Sequence, residues 1–182
     1  MKIENEKNNG MLRFLTRAAI IGALYAALTL ILLPFSFGAV QFRVSEAMTV
    51  LPVFFPEAIP GLFIGCIISN IMTPNIPVLD VVFGSLATLA AAYLTSRLRS
   101  SRGIKRAILA PLPPVIINAV VVGAVITFSV VRTGDSFFTL FVTNAISVGA
   151  GETAVCYLLG VPLMLIVDRI QYRLKSRSDI EQ

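Results

Sequence analysis

The stretch AAIIGALYAALTLILL, residues 18–33, decides the fold class of this chain. It contains no charged residue, it follows Arg13 and Arg17, and it ends at Pro34, which breaks a helix interior. An apolar run of this kind, at roughly 20 residues with its flanks, is long enough to cross a bilayer as a helix. No small-residue cleavage site accompanies the run, so we expect a retained membrane helix and not a removed signal peptide.

The composition extends this apolar character to the whole chain. Of its 182 residues, 56% are hydrophobic and only 14% are charged, more apolar surface than one soluble core can bury. The mean hydropathy is +0.84. Backbone groups in lipid must bond within the protein and no strand-like alternation appears, so we predict an all-α integral membrane protein. Cys66 and Cys156 fall inside apolar segments, where we expect no disulfide.

Two absences limit the chemistry of the chain. It has no histidine, which excludes Ser/His or Cys/His catalysis and histidine-based metal sites. It also has no GxxxxGK[ST] phosphate-binding loop. We therefore expect no enzyme activity, no metal and no cofactor in this chain, and no nucleic-acid partner. Uphill transport would depend on ATP hydrolysed by partner subunits or on an ion gradient.

Six apolar segments follow one another along the chain. Pro56 and Pro60 separate the second from the third, a short pair that crosses twice or forms a re-entrant hairpin. Lys and Arg favour the cytoplasmic side. Two crossings place all three basic clusters of the chain there: Arg13 with Arg17, residues 97–106 and residues 169–177. We therefore predict one domain, residues 1–182, a six-helix bundle in the cell membrane with cytoplasmic termini and disordered tails at 1–10 and 176–182. The segments are Leu12–Leu33, Ser45–Phe55, Ala58–Thr73, Val78–Ser96, Ala107–Val131 and Phe137–Val167.

Polar side chains in this topology converge on the outer half of the bundle. Glu152, near the middle of the last segment, is the strongest signal, because a carboxylate near the bilayer centre costs on the order of 3 kcal/mol. It either contacts a ligand or pairs with Asn118 across two helices. We predict that both line a substrate pocket open to the outside. The other predicted members of the pocket are Gln41, Arg43, Glu46, Asn70 and Asp80.

Each of these polar residues also allows a purely structural interpretation. Arg43 and Glu46 are three positions apart, so on one helix face they could form an interfacial ion pair. Asp80, shortly after Pro77, could cap its helix. The residues alone leave both interpretations open.

A second pattern lies on the first segment. Ala19, Ala23 and Ala27 recur every four residues and make a smooth face, on which another helix can pack closely. We call this set the alanine face. It serves either packing within the bundle or docking of a partner.

Two stretches resemble a known family: QFRVSEAMTVLPVFFPEAIPGLFIGCIISN, residues 41–70, and GAGETAVCYLLGVPL, residues 149–163. They are similar to the QueT family, S components of energy-coupling factor (ECF) transporters associated with queuosine precursors. The resemblance implies a six-helix subunit that binds a micronutrient from outside and docks on a transmembrane T subunit carrying two ATPases. It further implies that the alanine face meets the T subunit.

The substrate class implied by the resemblance is a 7-deazaguanine such as preQ0, preQ1 or queuine. Its N1–H and 2-amino donors lie side by side, and one carboxylate, of Glu152 or Glu46, can accept from both. An aminomethyl cation would favour a second carboxylate such as Asp80. The ring carbonyl needs a donor, and Phe35, Phe37 or Phe42 could stack on the ring. The candidate donors are Asn118, Gln41 and Arg43. A small ion-coupled secondary transporter acting as an oligomer is the alternative.

Overall fold

The computed structural model describes residues 2–36, 42–74 and 76–180, and this part of the chain is helical with no strand. Eight α-helices are joined by short 3₁₀ and π-helical segments. The α-helices are α1 (Lys2–Ile31), α2 (Leu33–Ser36), α3 (Ala58–Met72), α4 (Ser85–Ser96), α5 (Gly103–Leu109), α6 (Leu112–Val130), α7 (Phe137–Val155) and α8 (Val161–Ile180). Val44–Val53 and Arg97–Ser100 are 3₁₀-helical, and Asp80–Gly84 and Cys156–Gly160 are π-helical.

Within the described residues, four continuous helical stretches are long and apolar enough to cross a membrane. They are Asn8–Ile31, Asp80–Ser100, Gly103–Val130 and Phe137–Leu174. Val44–Val53 and Ala58–Met72 are shorter apolar helices. The prediction of an all-helical, multi-pass membrane protein is thus confirmed, and each of the six predicted segments contains a helix. That all six cross the membrane stays a prediction.

Helices α1 and α3 run parallel and touch through glycines. A Cβ atom on Gly22 would lie 2.8 Å from the carbonyl oxygen of Gly61, and one on Gly65 would lie 2.5 Å from the carbonyl oxygen of Gly22. Only glycine fits at this crossing, because the obstructing atoms belong to the backbone. Near one end of the pair, Arg17 forms an ion pair of 2.9 Å with Glu57.

The 3₁₀ helix Val44–Val53 runs in the opposite direction through the centre of the bundle. It begins where the Ser45 hydroxyl lies 2.6 Å from that of Thr29, and it ends where Arg99 donates to the carbonyls of Val53 and Phe54, both at 3.3 Å. Residues 45–53 are all buried. A helix without a solvent-facing side suits this central position, and ten residues is long for 3₁₀ geometry.

The later segments continue the alternation of direction. Asn144 on α7 donates to Thr127 on α6 at 3.0 Å, far from the turn at residues 97–112. At the opposite end, Asp168 on α8 forms an ion pair of 2.9 Å with Arg106. Arg17, Arg99 and Arg106 therefore share one end of the bundle, which we call the basic end.

Two boundaries differ from the predicted ones. Helix α1 begins at Lys2, ahead of the predicted segment Leu12–Leu33, and α8 ends at Ile180, beyond the predicted segment Phe137–Val167. That the tails at 1–10 and 176–182 are disordered stays a prediction. Once a helix has formed, each added residue contributes a hydrogen bond without a new nucleation cost, so a polar flank can prolong it beyond its apolar part. The extent of the single domain stays a prediction.

Candidate functional site

The carboxylate of Glu46 lies at the centre of a buried polar cluster. Its Oε1 atom accepts hydrogen bonds from the Tyr25 hydroxyl and from the Thr88 hydroxyl, the latter at 3.4 Å. The residue is 0% exposed. Its Oε2 atom is also buried and has no hydrogen-bond partner among the described residues. One oxygen of this carboxylate is therefore fixed, and the other can accept from a ligand.

The second carboxylate of the cluster, Glu152, is held from two sides. The Asn118 side-chain amide donates to its Oε1 atom at 3.1 Å. The Cys156 thiol lies 3.6 Å from its Oε2 atom and 3.7 Å from the backbone oxygen of Glu46. Asn118 Oδ1 is buried without a partner in the described part of the chain. The hydrogen bond between Asn118 and Glu152 thus links α6 to α7, and Asn118 Oδ1 is still available as an acceptor.

Arg43 joins the start of the 3₁₀ helix to α3. Its guanidinium donates to the side-chain oxygen of Asn70 and, at 3.7 Å, to the sulfur of Cys66. Asn70 in turn donates to the backbone oxygen of Asp80 at 3.3 Å. The guanidinium is also close enough to interact electrostatically with Glu46 and Asp80. These contacts connect three segments around one cation.

Asp80 is buried and lies inside a helical stretch. Its backbone N–H donates to the carbonyl of Pro77 at 2.9 Å, and the residue opens the π-helical segment Asp80–Gly84. The helical stretch begins before it, at Val78, so Asp80 is not the N-cap. A Cβ atom on Gly84 would lie 3.2 Å from Asp80 Oδ1, so glycine there leaves room for this carboxylate.

The cluster contains more acid than base. Three buried carboxyl groups, of Glu46, Asp80 and Glu152, share the cluster with one guanidinium, that of Arg43. Buried carboxylates require compensating charge or hydrogen-bond donors. The arrangement therefore favours a ligand that is rich in donors or carries a positive charge. No group of three or more metal-ligating side chains occurs among residues 2–36, 42–74 and 76–180.

The structure brings together most of the residues proposed for the pocket, at a greater depth than expected for one of them. Glu46 was predicted in the outer half of the bundle, but it is 0% exposed and lies level with Tyr25, in the interior. Gln41 and Phe37 lie outside the described residues, and Phe42 is 40% exposed. The members found together are Arg43, Glu46, Asn70, Asp80, Asn118 and Glu152.

Two partners of Glu46 were missed in the sequence. Tyr25 is a fully buried residue of α1, and Thr88 is a fully buried residue of α4. Tyrosine in membrane helices is usually enriched at the interfaces, so a tyrosine inside an apolar run was the available signal. Thr88 gave no such signal, because threonine commonly bonds within its own helix.

The alanine face is exposed in this chain. Ala19, Ala23 and Ala27 are solvent-accessible, whereas Ala18 and Gly22 on the neighbouring stripe are buried against α3. Packing within the bundle therefore uses the neighbouring stripe. The alanine face itself remains available on the surface.

The chain matches a known protein family over a range that includes both the polar cluster and the alanine face. The family model described as QueT transporter matches residues 15–169, which include both features. The chain is also 41% identical over 73 residues to the "Queuosine precursor transporter QueT" of Lactococcus lactis subsp. cremoris (strain MG1363), a match that covers 39% of this chain and 42% of that protein. No solved structure matches. Because the family match covers most of its length, the chain belongs to the QueT transporter family.

Proposed function

We propose that this protein is the substrate-binding S component of an ATP-driven ECF importer and that it binds a queuosine precursor of the 7-deazaguanine type. The family and the name of the Lactococcus relative support transport of such a precursor. The single observation that carries the proposal is the open acceptor at the centre of the bundle, Glu46 Oε2.

The open acceptors suit the donor edge of a 7-deazaguanine. A buried acceptor without a partner costs about 1–3 kcal/mol, so a ligand that donates to it gains that much in return. The N1–H and 2-amino groups of the ring supply two adjacent donors. We assign this edge to Glu46, with Asn118 Oδ1 accepting from another ring N–H. Glu152 is the alternative acceptor for the same edge.

The charge of the cluster favours one form of the precursor. Three carboxyl groups face one guanidinium, so a ligand with an aminomethyl cation would complete the balance. We assign the cation to Asp80, and the N–H donors of Arg43 to the ring carbonyl. The protein should therefore bind 7-aminomethyl-7-deazaguanine more tightly than the uncharged 7-cyano form.

We infer the orientation in the membrane from the basic end. Lys and Arg concentrate on the cytoplasmic side of bacterial membrane proteins. With the basic end, including Arg17 and Arg106, in the cytoplasm, both termini are inside and all six segments cross the cell membrane. Asp80 and Asn70 then lie toward the outside, from which the substrate enters.

Energy for uptake would come from partner subunits. The chain has no GxxxxGK[ST] loop, and we infer that a T subunit carrying two ATPases docks on the alanine face. Small residues allow close approach of two helices in lipid, where no hydrophobic drive between them remains. The exposure of Ala19, Ala23 and Ala27 supports this assignment.

Two experiments test the proposal. Calorimetry on the purified chain should show binding of 7-aminomethyl- and 7-cyano-7-deazaguanine or queuine, with no heat from adenine. Affinity purification from membranes should recover a T subunit and two ATPases. Binding of no deazapurine contradicts the substrate class. Uptake that follows an ion gradient, without copurified ATPases, contradicts the S-component role and favours an oligomeric ion-coupled transporter.

A further inference from the structure

Two hydroxyl groups from other residues donate to the same oxygen atom of the Glu46 carboxylate. Tyr25 on α1 and Thr88 on α4 both donate to Oε1, and Oε2 is left without a partner among the described residues. The terminal torsion of a glutamate is broad and two-fold, so an unrestrained carboxylate would exchange its oxygens freely. Two donors from different helices remove this freedom.

We propose that Tyr25 is a positioning residue that determines substrate specificity: with Thr88 it fixes the Glu46 carboxylate so that Oε2 faces the ligand. The inference rests on the proposed function and concerns how the same site selects its substrate. An oriented acceptor discriminates most strongly between ligands that differ by one donor at that position. The site should therefore prefer a ring with a 2-amino group over the same ring without it.

The two hydroxyls contribute unequally. Each has a single hydrogen to donate. The Thr88 hydroxyl also lies 3.2 Å from the backbone oxygen of Gly84 and 3.4 Å from the sulfur of Cys66, so its hydrogen is shared among three acceptors. For Tyr25, Glu46 Oε1 is the acceptor that the structure gives. Tyr25 should therefore have the larger effect.

The tyrosine ring and the tyrosine hydroxyl have separable roles. The ring packs in a buried apolar cluster with Met48 and Leu62. Phenylalanine at position 25 would keep these contacts and remove only the donor. A change in ligand preference in Tyr25→Phe would therefore report on the hydrogen bond.

The test compares two probes, 7-deazaguanine and 7-deazahypoxanthine, which differ only in the 2-amino group. Their dissociation constants are measured by calorimetry on the purified full chain, and the ratio of the two is the readout. A hydrogen bond to a charged group changes an equilibrium constant roughly 10-fold or more. We therefore expect Tyr25→Phe to reduce the wild-type ratio of dissociation constants about 10-fold. Thr88→Val should reduce the ratio less. Thr88→Ser keeps the hydroxyl and should retain the wild-type ratio.

Tyr157→Phe is the matched control. Its hydroxyl donates to the backbone oxygen of Ile108 at 2.8 Å, away from the cluster, so its loss should leave the ratio unchanged. Equal weakening of both probes by Tyr25→Phe would assign Tyr25 to structure and overturn the inference, as would an unchanged ratio. If Tyr25→Phe fails to fold, the ratio in Thr88→Val decides. Failure of the wild type to bind 7-deazaguanine would instead contradict the proposed function, and the inference with it.

Discussion

Asn118 on α6 donates a hydrogen bond of 3.1 Å to the carboxylate of Glu152 on α7, and its own side-chain oxygen stays buried without a partner in the described residues. The two interpretations of this pair, helix association and ligand binding, are therefore compatible. The amide nitrogen links the helices, and the amide oxygen is available to a ligand. Glu46 is arranged in the same way: its Oε1 atom accepts a hydrogen bond from Tyr25, and its Oε2 atom has no partner among the described residues.

Glu152→Gln should weaken binding of a 7-deazaguanine strongly, because Glu152 holds Asn118, which we assign to a ring N–H, and is the alternative acceptor for the N1–H and 2-amino edge. Removing one partner of a buried charged hydrogen bond costs roughly 2–5 kcal/mol, because the other partner is left uncompensated. Calorimetry on the purified variant measures the loss. Glu57→Gln, which neutralises a buried carboxylate at the basic end, is the control and should bind normally. Normal affinity in a well-folded Glu152→Gln variant would assign this residue to structure alone.

Exchanging the charges of Arg43 and Glu46 should abolish binding. The two side chains have different partners, since Arg43 donates to Asn70 whereas Glu46 accepts from Tyr25 and Thr88. Arg43→Glu with Glu46→Arg would place each charge among the wrong groups. A simple ion pair would tolerate the exchange, so full ligand affinity in the double variant, measured by calorimetry, would refute the assigned roles.

Neighbouring substitutions on α1 should separate folding from assembly. Gly22→Leu pushes a side chain into the backbone of Gly61 and should lower stability by at least about 1–3 kcal/mol, a cost typical of overpacking. Ala23→Leu points to the exposed alanine face, so it should leave the unfolding temperature and the ligand affinity near wild type.

The second measurement on the Ala23→Leu variant is its copurification with partner subunits. Ala23→Leu should lose the T subunit and cellular uptake, because a bulky residue keeps a partner helix at a distance. A variant that still assembles and transports would place the docking surface elsewhere on the protein.

The Arg17–Glu57 ion pair at the basic end should give a pH-dependent contribution to stability. Partial burial raises the pKa of Glu57, but hydrogen bonds from its backbone N–H and from Arg17 outweigh this effect and hold the pKa below its ordinary value. The contribution is therefore complete above the ordinary carboxyl pKa and is lost as the pH falls through the lower, folded-state pKa. Arg17 is 62% exposed, so the pair should contribute less than about 1 kcal/mol.

Comparing thermal unfolding of the wild type and Glu57→Gln isolates this pair from the other acids. The wild type should unfold at the higher temperature near pH 7, and the difference should vanish as the medium becomes acidic. A difference that stays constant from pH 7 to about pH 3 would show that the charge of Glu57 is not involved.

The fold was predictable from hydropathy because each apolar segment must bond its own backbone in lipid. The geometry of the second segment was not, since an apolar run of ten residues fits either an α-helix or a 3₁₀ helix. That geometry places Glu46 in the interior, next to Tyr25. Helix α8 continues past the predicted apolar segment through charged residues, and hydropathy alone does not mark such residues as helical.

The charged and amide members of the cluster were predictable, because such groups are rare within membrane segments. Glu152, Asp80 and Asn118 stood out for that reason. The orienting hydroxyls of Tyr25 and Thr88 did not, since a hydroxyl is tolerated in lipid by bonding within its own helix. Their role depends on which residues face them, and only the tertiary structure gives that information.

A structure of the protein with 7-aminomethyl-7-deazaguanine bound would test the central claim most directly. We expect the ring in the buried cluster, with its N1–H and 2-amino edge within hydrogen-bond distance of Glu46 Oε2 and another ring N–H near Asn118 Oδ1. A ring bound elsewhere, for example in the cavity of about 320 Å³ lined by Arg17, Phe55 and Glu57 at the basic end, would contradict the assignment of the site.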